Sequence, residues 1–86
     1  MPSPIDQRRL RDGALALEVS TREPKTADEI RRQLEIVGDG IAALQSLDDL
    51  GPEANARAER DQQMLWKSYD ALKKLLGQLE GKKVTP

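Results

Sequence analysis

The sequence predicts an all-α fold: a coiled-coil-like antiparallel helical hairpin with a short N-terminal helix or arm, assembled as a dimeric bundle. Three observations predict it. Apolar residues recur at Ile30, Leu34, Val37, Ile41 and Leu44, in alternating steps of four and three. The same period returns later, with Ala58, Leu65, Leu72 and Leu79 at one heptad position and Gln62, Tyr69 and Leu76 at the other. Between the two runs stands Ser46-Leu47-Asp48-Asp49-Leu50-Gly51-Pro52, whose chemistry is that of a turn. A four-three alternation holds apolar side chains on one stripe of a helix, so each run reads as a seam that needs a partner.

The elements follow in order. In residues 1–25, Ser3 is a candidate N-cap with Pro4 in the first helical turn. Leu10, Ala14 and Leu17 keep helical spacing, whereas Leu15, Leu17 and Val19 alternate as in a strand, and Gly13 costs a helix about 1 kcal/mol. A lone strand would find no partner in this chain, so the reading is a short helix over about residues 4–18. Thr26-Ala27-Asp28-Glu29 is a capping box that opens the hairpin of residues 26–80. Asp28 and Glu29 also suit the positive end of the helix dipole. Asp48 and Asp49 would sit badly at the negative end of a continuing helix, and Gly51-Pro52 restarts the chain, which places the turn at about residues 47–52. Gly81 ends the second helix, and residues 81–86 read as a flexible tail.

In an antiparallel pair, facing residues have numbers of constant sum. A sum of 99 pairs Leu34 with Leu65, Ile30 with Tyr69, Val37 with Gln62 and Leu44 with Asn55, and it centres the fold-back inside the turn. At about 1.5 Å per residue the second helix is then the longer by roughly 10 Å, and Leu75, Leu76 and Leu79 overhang the first. The N-terminal segment, or a second copy, is expected to cover them.

Composition narrows the function. The chain has 86 residues, 37% hydrophobic and 34% charged, with Trp66 and Tyr69 as its only aromatics. Chains of this size bury only about 60% of their unfolded surface, and large aromatic side chains are missing from the core, so self-association is expected. Cysteine and histidine are both absent. That leaves no thiolate nucleophile, no imidazole base and no ordinary zinc site, and a two-helix hairpin offers no desolvated cleft for carboxylate chemistry. The expectation is a protein that is not an enzyme and binds no cofactor or metal. No signal-like leader and no run of about 18 apolar residues is present, so a cytoplasmic protein without membrane contact is expected.

Five residues are candidates for contact with a protein partner: Gly38, Gly40, Trp66, Tyr69 and Arg31. Both glycines fall inside a helix, each costing about 1 kcal/mol against alanine, and both flank the seam. They either loosen a turn or admit the close approach of another backbone. Trp66 and Tyr69 lie three residues apart on the second helix, with Tyr69 in the seam and Trp66 beside it, where it could lie against Arg31. Tryptophan, tyrosine and arginine are the residues enriched at binding hot spots, although the same pair could simply fill a core. Arg8, Arg9 and Arg11 form a short basic cluster that could touch phosphates. Acidic residues interleave with them and the net charge is −1, which is not the basic field of a nucleic-acid binder. The function expected is therefore a non-catalytic protein–protein interaction module, such as an adaptor, small chaperone, inhibitor or structural component of a larger assembly. The alternative is a small nucleic-acid-associated regulator using the arginine-bearing N-terminus.

Overall fold

In the computed structural model, which describes residues 3–47 and 49–83, the described residues form three helices and no strand. They are α1 (Pro4–Ser20), α2 (Ala27–Gln45) and α3 (Pro52–Lys83). Each start is written locally. The Ser3 hydroxyl accepts from the Asp6 amide at 3.2 Å, with Pro4 in the first turn of α1. Thr26 caps α2 by accepting from the Glu29 amide at 3.2 Å. The Glu29 carboxylate reaches one residue further back than a capping box requires, to the Lys25 amide at 2.6 Å. α3 passes Gly81 and ends at Lys83, so the expected tail begins later than the sequence suggested, and residues 84–86 lie outside the described residues. No described helix is long and apolar enough to cross a membrane.

The turn is held by one carboxylate. Asp49 accepts from the Gly51 amide at 3.0 Å and from the Asn55 side-chain amide at 2.6 Å, while Asn55 Oδ1 accepts from the Leu50 amide. Gly51 has φ +103°, a left-handed conformation that favours glycine. Asp48 lies outside the described residues. The Gly51 amide first, and Asn55 second, hold the Asp49 carboxyl below its ordinary pKa. A group depressed in the folded state stabilises it above the unfolded pKa, and the contribution is lost as pH falls through the folded value. Thermal melts of the wild type should therefore lose ground below about pH 4, and Asp49→Asn should lose less over the same interval. Parallel losses in the two proteins would remove Asp49 from the account.

α2 is the shared element: α1 and α3 both pack along it and touch each other little. α1 runs antiparallel to α2, from Arg9 donating to the Ser46 carbonyl at 2.6 Å to the Gln33 side chain donating to the Arg22 carbonyl at 3.0 Å. Between these ends the packing is backbone-close. Gly13 lies under Leu44, where an added Cβ would fall 2.7 Å from Leu44 Cδ2. Gly40 lies against Ala16, where an added Cβ would overlap the Ala16 Cβ. α1 therefore buries Gly13, Ala16 and Val19 and leaves Leu15 exposed. Of the residues behind the strand-like alternation, the helix leaves Leu15 exposed, half-buries Leu17 against the core and buries Val19, and the residues that seat it closest to α2 are small.

Along α2 and α3 the contacts differ from the register of sum 99. Tyr69 lies against Gly38, not Ile30, and Arg31 pairs with Glu80. Numbers rise on one helix as they fall on the other, but about one heptad further along. The reason is in the pairs themselves. A sum of 106 sets Leu76 opposite Ile30, Leu72 opposite Leu34 and Leu65 opposite Ile41, and leaves one polar layer, Leu44–Gln62, where the sum of 99 has two, Val37–Gln62 and Leu44–Asn55. Ile30, Val37, Leu65 and Leu72 are accordingly buried together, with Leu76 and Leu79 half-buried against them. Those two leucines do not overhang. At the opposite end, Ala58 near the start of α3 is buried in the same core, and Leu47 packs against it. The molecule measures 56 × 19 × 18 Å.

Candidate functional site

Residues two apart on a helix point about 200° apart, so Gly38 and Gly40 cannot serve one surface. Gly40 is buried on the α1 side, and the close approach it admits is that of Ala16 within the same molecule. It is thereby withdrawn from the partner-contact set, as an internal packing residue. Gly38 faces α3. There the missing side chain leaves the Tyr69 ring against bare helix, with Cε2 at 3.6 Å from where a Cβ would be, an ordinary contact distance.

Around this point the surface dips into a depression of about 220 Å³, walled by Gly38, Ile41, Ala42 and Gln45 of α2 and by Trp66 and Tyr69 of α3. The two aromatic rings meet edge to face, with centroids 5.7 Å apart and planes at 79°. Lys73 places its ammonium 5.5 Å from the centre of the Tyr69 ring, within cation–π range. Tyr69 is half-buried, whereas Trp66 stays 46% exposed. The result is a preorganised aromatic ledge beside a shallow apolar floor. Such a surface can take up an apolar side chain from another protein.

The structure thus brings together Gly38, Trp66 and Tyr69 from the sequence-based set and separates the other two. Arg31 is held by Asp28 at 3.1 Å and by Glu80, so it does not lie on Trp66. The heptad shift is the cause, because it moves Trp66 toward Ile41 and Ala42. Of the basic cluster, Arg9 is spent on the Ser46 carbonyl and on Asp6, at the negative end of the α2 dipole. Arg8 and Arg11 remain exposed.

A second feature escaped the sequence reading. Between α1 and the first turns of α3 lies a groove of about 630 Å³. Leu10, Ala14 and Leu17 form one wall, and Ala54, Arg57 and Asp61 line the other. The Leu10, Ala14, Leu17 spacing was the available signal, but without the path of α3 it could not be assigned a facing wall.

No protein-family model, no curated protein and no solved structure matches the chain.

Proposed function

We propose that this chain is a non-catalytic protein–protein interaction module in which α2 and α3 make an antiparallel helical hairpin and α1 braces it. The hairpin reading is supported by the Arg31–Glu80 and Gly38–Tyr69 contacts, which lie in descending order along α3. The observation that carries the functional reading is Trp66. A tryptophan nearly half exposed, fixed by an edge-to-face neighbour beside an apolar depression, is costly to leave in water and well suited to anchor a partner. On this reading the chain acts as an adaptor, small chaperone, inhibitor or structural component, in the cytoplasm, and it also pairs with itself. The nucleic-acid alternative gains no support, since one of its three arginines is engaged within the fold.

The test is a paired measurement on Trp66→Ala. A partner captured by the wild type from its native source should bind the variant with at least about 2 kcal/mol less affinity. The melting temperature should change little, because the side chain is half exposed. A variant that melts far lower but binds equally well would make Trp66 a core residue and end the proposal.

A further inference from the structure

The inference about the α1–α3 groove rests on the interaction-module reading above. We infer that the groove is where a second copy of this chain docks, through an antiparallel pairing of the N-terminal halves of the two α3 helices. Three observations lead there.

The first is area. The chain exposes 6487 Å². A folded monomer of 9.6 kDa is expected to expose roughly 5,100 Å². The excess, about 1,400 Å², exceeds the 800 Å² or so that each partner contributes to a standard interface. It belongs to a rod with an open groove, and rods remove such surface by lying side by side.

The second is pattern. Ala54, Arg57, Asp61 and Met64 follow steps of three, four and three along α3, and the first three of them line the groove. Met64 is 54% exposed, although it is a large apolar residue. This flank is a second seam, distinct from the one that faces α2; Arg57 and Met64 on it are exposed, and Ala54 and Asp61 are half-buried.

The third is charge. Arg57 and Asp61 stand one turn apart, yet neither is in an ion pair among the described residues. The seam is symmetric about residue 59. When two copies meet antiparallel across a two-fold axis there, Arg57 of each faces Asp61 of the other, and Met64 of each faces Ala54 of the other. An isologous interface must be complementary to itself, and this one is. Met64 of the second copy then extends over Ala54 toward the apolar wall formed by Leu10 and Ala14.

Charge reversal tests the pairing in the full chain. Arg57→Asp and Asp61→Arg each turn two attractive contacts per dimer into two repulsive ones, and should weaken dimerisation at least about tenfold by sedimentation equilibrium. The double variant carrying both changes should bring it back to within about threefold of wild type. Helical circular dichroism and the melt of each variant establish that it is folded. A wild type that sediments as a monomer at tens of micromolar would overturn the inference, whatever Trp66→Ala does to partner capture. So would single variants that dimerise like wild type, or a double variant that stays as weak as the singles. The Trp66 reading fails separately, on loss of its own effect on partner affinity.

Discussion

Leu65→Ala is expected to cost about 2–5 kcal/mol, enough to leave much of the protein unfolded at physiological temperature. Leu65 is fully buried, and among the described residues only Ile30 and Val37 match it in size and burial. A core with three such anchors has little with which to refill the cavity. Domains of this length hold roughly 4–13 kcal/mol in all, and each 1 kcal/mol moves the midpoint by about 4–8 °C. A drop of about 8 °C or more is therefore expected in a thermal melt. Leu75, on the exposed flank of the same helix, serves as control, and Leu75→Ala should shift the midpoint by only a few degrees. Equal shifts in the two variants would mean that the core does not lie along Ile30, Val37 and Leu65.

The two mid-helix glycines are expected to respond with opposite signs. Alanine in place of glycine inside a helix normally gains about 1 kcal/mol. Gly38→Ala should show that gain, since Tyr69 leaves room for a methyl group at ordinary contact distance. Gly40→Ala should instead lose about 1–2 kcal/mol, because its methyl group would overlap that of Ala16 and come within 3.3 Å of the Asp12 carbonyl oxygen. Neither neighbour is the free end of a long side chain, so α1 itself must move. Adding Ala16→Gly to Gly40→Ala removes the opposing methyl group. The double-mutant cycle should then return a favourable coupling of about 1–2 kcal/mol. Denaturant unfolding of the four proteins measures it, and a coupling near zero would refute the close packing of α1 on α2.

Helix starts were legible because their signals are local. The Ser3-Pro4 and Thr26 caps and the Gly51-Pro52 restart each need only a few residues, and the helices begin where those signals stand. The register was not legible from heptads alone, because a seam displaced by seven residues is still a seam. What separates sums of 99 and 106 is the count of polar layers, and a tight reversal centred on Asp49-Leu50 favours the smaller sum. The connection proved less tight, since Asp49, Gly51 and Asn55 build a hydrogen-bonded loop in place of a minimal reversal. The close approach that Gly40 admits is that of Ala16 in the same molecule, and a sequence does not say from which molecule such an approach comes. Gly13 and Ala16 held the answer, three residues apart on what proved to be the buried face of α1, and hydrophobicity gives such small residues no weight.

That α2 is the partner of both other helices bears on how the chain reaches this arrangement in time. Each contact layer joins helices adjacent in sequence, through connections of about six residues, so the entropy lost in closing each loop is small. Topologies made of such near-neighbour contacts are the fast-folding ones. Either flanking helix can zip onto α2 before the other arrives, without having to be threaded past it. A newly made chain would have α1 and α2 docked, glycine against alanine, while α3 is still being synthesised.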